Sequence, residues 1–166
     1  MSDMSVLAAS GFDRARFREV LGHFATGVTV VTASIEGRPV GFTCQSFCSL
    51  SLDPPLVLVA PAKTSTSWPD IQRSERFCVN VLADHQEALC RAFAVSGGDK
   101  FTGVGWHPGA TGSPVLDGVL AWVECHLEAT YEGGDHLIAI AKVTDMSVGE
   151  GRPLLFYRGG FSGLGP

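Results

Sequence analysis

The chain has 166 residues, 45% hydrophobic and 17% charged, with 12 basic against 17 acidic side chains and a formal charge of -5. Those figures fit one domain with a sizeable core and exclude whole-chain disorder. The acidic balance, without a lysine/arginine run, argues against nucleic acid and anionic membrane surfaces. No apolar run approaches the ~18–20 residues of a membrane span, and the N-terminus lacks the order of a signal peptide, so a cytoplasmic protein is expected.

Residues 1–11 read as a flexible tail, and residues 12–166 as one domain. A first helix is expected from Asp13 to Phe24, with Asp13 as N-cap and Phe12 stapled to Phe17. Phe17, Leu21 and Phe24 form its apolar stripe. Gly27–Ser34 is rich in β-branched residues and reads as a strand, and Val40–Ser49 as its hairpin partner. Asp53-Pro54-Pro55 stops that element, and Leu56–Ala60 is a short buried strand. Lys63–Ser67 is a hydroxyl-rich loop opening a helix through Trp68 and Ile71. Phe77–Leu82 is another strand. Asp84 and Glu87 resemble a capping box opening a helix that ends near Ala94.

Ser96–Gly118 holds seven glycines and little periodicity. It reads as a long loop of the functional or mobile kind. Val119–Tyr131 alternates, with Val123, Cys125 and Leu127 on one face and Trp122, Glu124 and His126 on the other. Glu132–Asp135 is a hairpin turn, and His136–Met146, apolar on both faces, is a central strand. Leu154–Tyr157 is a last strand before a glycine-rich tail. About seven hairpin-connected strands with few helices point to a mainly β fold, a closed antiparallel barrel with peripheral helices. The five cysteines are odd in number and lack a CxxC pair, so neither a disulfide scaffold nor a zinc ribbon is expected.

Three features could carry chemistry. Lys63–Ser67 brings four hydroxyls and an ammonium to a helix start, with Pro69 in its first turn. That is a place for an anion such as phosphate, or else an ordinary polar N-cap. Gly41–Ser51 mixes polar and apolar residues, with Thr43, Gln45 and Ser49 on one face and Ser46 on the other. Such a strand can hydrogen-bond a polar ring, or can simply be half exposed. His136 follows a tight turn, where it either positions a ligand or serves the structure. His126 sits on a polar face and reads as solvated. His23, His85 and His107 share no spacing and no HExxH is present, so no metal site is expected. There is also no GxSxG elbow, P-loop or Rossmann fingerprint.

The segments FATGVTVVT (Phe24–Thr32), GFTCQSFCSLSLDPPLVLV (Gly41–Val59), KTSTSW (Lys63–Trp68), RFCVNVL (Arg76–Leu82), DKF (Asp99–Phe101), GDH (Gly134–His136) and RPLLFYRGGF (Arg152–Phe161) stand in an order that is specific. In that order the chain resembles the short-chain flavin reductase family, over about Phe17–Phe161. It is most similar to reductase components of two-component aromatic and steroid-ring hydroxylases. The resemblance implies a flavin-binding split β-barrel with Greek-key connections, usually a homodimer. It implies an NAD(P)H:flavin oxidoreductase that passes hydride from NADH or NADPH to FMN or FAD and supplies reduced flavin to a partner monooxygenase.

By the same resemblance, Gly41, Phe42, Thr43, Gln45 and Ser46 line the isoalloxazine. Pro61, Lys63, Ser65, Thr66 and Ser67 surround the flavin side chain and phosphate, and Asn80 lies near the flavin. His136, Tyr157, Arg158 and Gly159 meet the nicotinamide nucleotide, His136 in a positioning role. Relatives often carry arginine just before the Phe93 position. Here Ala92 stands there and the arginine is Arg91, about 100 degrees round the helix. Gln45 replaces a usual asparagine. Hydride transfer between two cofactors strictly needs no protein acid or base. The competing readings are a non-catalytic flavin- or haem-binding split barrel serving as carrier or sensor, which the joint presence of GDH and YRGG disfavours, and a pyridoxamine-phosphate-oxidase-like enzyme, which would need more basic residues.

Overall fold

The computed structural model describes residues 11–165, so the expected flexible tail lies almost wholly outside the described residues. Helix α1 is Arg14–Leu21, shorter than expected. Asp13 caps it by accepting from the backbone N–H of Ala15 and Arg16, and Phe12 meets Phe17 at 5.4 Å between ring centroids. Its stripe is not buried: Phe17, Leu21 and Phe24 are all at least half exposed.

The remaining elements are strands β1 (Thr26–Gly27), β2 (Thr29–Ile35), β3 (Arg38–Cys44), β4 (Phe47–Leu52) and β5 (Pro55–Val59), helix α2 (Trp68–Ser74), β6 (Arg76–Val81), helix α3 (Glu87–Ala94), β7 (Trp106–Pro108), β8 (Pro114–Leu116), β9 (Ala121–Gly133), β10 (His136–Val148), β11 (Leu155–Tyr157) and β12 (Gly160–Ser162). Seven strands form one antiparallel sheet in the order β3-β2-β6-β9-β10-β5-β4. As its hydrophobic pattern suggests, β10 is an interior strand, between β9 and β5. The other five strands form two small sheets, β1-β11-β12 and β7-β8.

The mainly β architecture is as expected; among the described residues it is one large antiparallel sheet, with no ladder joining its edge strands β3 and β4. It is nevertheless strongly curled. Six inter-strand spacings in a flat sheet would part the edges by about 29 Å. Only Gln45 and Ser46 separate Cys44 from Phe47, a link that spans at most about 11 Å. The two edges therefore meet at Gln45–Ser46. For the same reason Val40–Ser49 is not one hairpin strand, and the face alternation expected across Thr43–Ser49 is interrupted there.

Each face of the sheet has its own core. One gathers Val31, Phe42, Val59, Trp68, Phe77 and Cys125; the other gathers Val30, Leu82, Phe93, Phe101, Leu116 and Leu154. The second explains why Ser96–Gly118 is ordered: Phe101, Val115 and Leu116 are buried and two short strands pair within it. Glu124, expected on a polar strand face, is fully buried. Its carboxylate accepts from the backbone N–H of Ala110 (2.8 Å) and Thr111 (3.0 Å) and from the Thr111 hydroxyl, which fastens this loop to β9. A 3-10 turn at Asp84–Gln86 precedes α3. There the Gln86 side chain, rather than the Asp84–Glu87 pair, accepts from the Ala83 N–H. The glycine-rich tail contributes β12, which pairs with β11.

Candidate functional site

The corner where the sheet edges meet forms one wall of a cleft of about 320 Å³. Phe42, Thr43, Gln45 and Ser46 supply that wall; Thr64, Ser65 and Thr66 face them from the hydroxyl-rich loop, and Phe93–Ser96, at the end of α3, close the apolar side. Cys44, Ala60, Ala62, Lys100 and His136 complete the lining. Seven of the expected site residues are thus gathered here: Phe42, Thr43, Gln45, Ser46, Ser65, Thr66 and His136.

The corner needs irregular backbone, and that leaves polar groups unpaired. The Gln45 carbonyl accepts from Phe47 N–H and the Ser46 carbonyl from Ala60 N–H. The N–H groups of Gln45 and Ser46 have no backbone or side-chain oxygen acceptor among the described residues, and that of Ser46 meets only the weakly accepting Cys44 sulfur. Unpaired main-chain donors opening on a cleft are ready for a ligand's acceptor atoms. The hydroxyls of Ser46, Thr64 and Thr66 likewise make no hydrogen bond among the described residues. Those of Thr43, Ser65 and Ser67 are engaged: Thr43 donates to Cys90 O (2.6 Å), Ser65 accepts from Trp68 N–H (3.2 Å), and Ser67 donates to Gly41 O (3.0 Å). Ser67 therefore does not cap α2 with its side chain.

The cation of the site is Lys100. Its ammonium donates to the carbonyls of Gly41 (3.1 Å) and Phe93 (3.2 Å), near the C-terminus of α3, where a positive charge is favoured. Partial burial pushes its pKa below the ordinary lysine value. Lys63, expected in this role, instead pairs with Glu132 on the surface and does not line the cleft. The signal for Lys100 was the DKF motif; nothing local distinguishes its lysine from a surface one. The α3 wall left no sequence signal beyond ordinary amphipathic spacing.

His136 is held by the tight turn before it. Its Nδ1 meets Asp135 Oδ1 at 2.7 Å, which keeps the Asp135 carboxyl below the usual carboxylate range and fixes the ring. The loop carrying the hydroxyls is tied to the same turn, through Lys63 N–H to Asp135 O (3.0 Å) and the bridge pairing of Ala62 with His136.

Other expected residues lie elsewhere. Gly41 is buried and, with Ser67, lines a larger hollow of about 740 Å³ that shares Thr66 and Lys100 with the cleft. Pro61 is buried, its carbonyl accepting from Leu137 N–H. Asn80 is fully buried and away from the cleft. Its amide nitrogen shares two N–H groups among Val30 O, Thr32 Oγ1 and Pro114 O, and its oxygen accepts from Leu116 N–H (2.8 Å), so the side chain ties β8 to β6 and β2. Gly159 lines a third hollow with Phe17, Leu21, Phe24 and Phe156, which adjoins the cleft only through Gln45; Tyr157 and Arg158 line neither. Arg91 is held by Glu87 (2.7 Å) and lies over the Phe161 ring at 4.8 Å.

Comparison with known proteins bears on this geometry. A sequence model described as a flavin reductase like domain matches residues 21–165. The flavin-dependent monooxygenase reductase subunit HsaB of Rhodococcus jostii is 52% identical over 161 residues, covering 96% of this chain and 83% of that protein. The FMN reductase (NADH) SmoA of Agrobacterium fabrum is 40% identical, covering 97% of this chain and 92% of its own length. Among solved structures, nitrilotriacetate monooxygenase component B from Mycobacterium thermoresistibile superposes with a TM-score of 0.90 at 49% identity, over 93% of this chain and 88% of that one. An NADH:FAD oxidoreductase of Streptomyces globisporus, solved with NAD and FAD fragments, gives a TM-score of 0.88 at 38% identity, over 93% of this chain and 94% of that one. The match of nearly the whole chain to the family, together with these relatives, means that the chain belongs to the flavin reductase like domain family.

Proposed function

We propose that this flavin reductase binds the flavin ring in the cleft beneath the Gln45–Ser46 corner, accepts hydride there from NADH, and delivers reduced flavin to a separate monooxygenase. The observation that carries the assignment is the pairing of two N–H groups that lack an oxygen acceptor with a hydroxyl loop and a buried-side cation in one cleft. The flavin ring presents carbonyl and ring-nitrogen acceptors that suit the N–H groups of Gln45 and Ser46. Ala94 and Val95, both exposed at the end of α3, offer its apolar faces a surface. Thr64, Thr66 and Lys100 supply three donors for a phosphate. The bound flavin and nicotinamide supply the redox chemistry themselves.

The residues' task is to hold, align and shield. Thr43 and Lys100 anchor β3 to α3, which fixes the cleft wall against the phosphate-binding side. His136, oriented by Asp135, guides the nicotinamide half of the nucleotide. A main-chain corner that grips by a few hydrogen bonds suits a ligand that must leave after reduction. The curled sheet is read as a split barrel spanning residues 12–166. The exposed stripe of α1 suits a homodimer with the cleft near its interface. A cytoplasmic setting, where NADH is at hand, fits a chain in which no helix among the described residues is long and apolar enough to cross a membrane.

Anaerobic stopped-flow mixing with flavin and NADH, followed by flavin absorbance near ~450 nm, tests cofactor-to-cofactor transfer directly. Protein-dependent bleaching is expected; tight flavin binding without bleaching would refute it. The His136→Ala variant should raise the KM for NADH by about tenfold and leave the flavin KM nearly unchanged. An unchanged NADH KM removes His136 from the site.

A further inference from the structure

We propose that the Gln45 side chain reads the carboxamide of the incoming nicotinamide, and that Thr26 orients it for that task. The inference rests on hydride transfer taking place in the cleft. Gln45 brings two sets of polar atoms to that site. Its main-chain N–H belongs to the corner. Its side-chain amide nitrogen donates to Thr26 Oγ1 at 2.8 Å. A primary carboxamide has two N–H donors and an oxygen with two acceptor lone pairs. Thr26 engages one N–H of Gln45. The other N–H and the carbonyl oxygen have no hydrogen-bond partner among the described residues. One donor beside one acceptor is the complement of another primary carboxamide. The nicotinamide ring carries such a group on the carbon next to the one that gives up hydride. Reciprocal N–H···O bonds to it fix the rotation of the ring over the flavin, where the reacting atoms must stand ~3–3.5 Å apart.

The place of Gln45 in the fold supports this role. It lines both the cleft and the third hollow, of about 390 Å³, so it stands on the border that a second ring entering beside the flavin must meet. His136, the nicotinamide-side residue, lines the same cleft. Among the described residues no other side-chain amide lines it. Asn80 and Gln86 are buried and bonded within the fold. An exposed glutamine samples several rotamers and loses that freedom when it grips a ligand. Thr26 restricts the amide beforehand, which favours binding. The anchor itself is ordered: Thr26 is half-buried on β1 and pairs with Phe156 of β11, while Gln45 stays exposed. An asparagine at this corner is shorter by one methylene and loses the bond to Thr26.

Equilibrium titration of the flavin-saturated full chain with NAD+ and with its 3-acetylpyridine analogue tests this. The analogue replaces the carboxamide NH2 by a methyl group and keeps the carbonyl, and neither oxidised dinucleotide reduces flavin. The wild type is expected to bind NAD+ about fivefold more tightly than the analogue. Gln45→Met, of similar length but without the amide, should bring that ratio to about one. Thr26→Val should lower it to about twofold, and Thr26→Ser, which keeps the hydroxyl, should restore it. The ratio of kcat/KM for NADH and the reduced analogue should change by the same factors. A strut that merely holds the corner would weaken both dinucleotides together and leave the ratio as it was. A wild-type ratio of about one, or a ratio that survives in Gln45→Met, overturns the proposal. If Gln45→Met does not fold, an unchanged ratio in Thr26→Val overturns it instead. If NADH bleaches flavin while the two oxidised dinucleotides bind alike, only this inference falls. If NADH bleaches no flavin, the reading of the cleft falls with it.

Discussion

Replacing Gly41 with alanine probes the join between the fold and the cleft. Gly41 lies on β3 directly beneath Phe93. A Cβ built there would sit 2.9 Å from Phe93 Cε1, 3.2 Å from its Cδ1 and 2.9 Å from the backbone oxygen of Val31. Ordinary contact begins near 3.4 Å, so the neighbours must yield by about half an ångström. Val31 O belongs to β2, an interior strand, and cannot retreat. Phe93 is 1% exposed and meets Phe101 edge-on at 5.0 Å, so its ring is boxed as well. Overpacking of this kind costs about 1–3 kcal/mol, which for a chain of this size lowers Tm by about 2–12 °C. Because Phe93 and the Lys100–Gly41 hydrogen bond both border the cleft, flavin affinity should fall along with stability. Scanning calorimetry and flavin titration measure the two effects. Adding Phe93→Leu should recover part of the lost stability, as expected for residues in direct contact. An unchanged Tm with unchanged flavin affinity would refute the steric argument, and strictly additive effects would show that Phe93 is not the obstacle.

Further expectations concern single groups. Glu124→Ala removes the acceptor of two backbone N–H groups and a hydroxyl, at a cost of about 3 kcal/mol, so Tm should fall by about 6–12 °C in a thermal melt. Lys100 has its pKa lowered by partial burial, so its charge is lost on the acid side of the ordinary 10.5. FMN affinity should therefore begin to fall below that pH in the wild type and stay flat in Lys100→Arg. The sign for stability is opposite: the folded chain releases this proton more readily than the unfolded one, so the ligand-free protein gains from it as pH rises through the window. Of the five cysteines only Cys48 is exposed, while burial pushes Cys44 up to about 11 and Cys125 up to about 12. A thiol reagent should therefore label one cysteine per native chain and all five after denaturation.

Local patterns in the sequence determined most of the elements. The β-branched run within Gly27–Ser34, the strand pattern across Val119–Tyr131, the turn within Glu132–Asp135 and Asp13 as a cap are each set by neighbours a few residues apart, and each has its element in the structure, at Thr29–Ile35, Ala121–Gly133, the turn before His136 and the start of α1. The ordered series of motifs identified the family, and its hydroxyl loop and the Gly41–Ser46 segment do face one another. What the sequence could not decide depends on partners distant along the chain. Whether a lysine serves the cleft or the surface turns on Glu132 for Lys63 and on the Phe93 carbonyl for Lys100. The pattern around Asn80 gives no hint that its amide bonds β2 and β8 rather than a ligand. Glu124 reads as a solvent-facing residue until the glycine-rich loop folds over it. Periodicity fixes which face a side chain takes but not what will cover that face, because burial and pairing are properties of the assembled sheet. Only the curl that brings β3 against β4 sets the N–H groups of Gln45 and Ser46 opposite Thr64, Thr66 and Lys100.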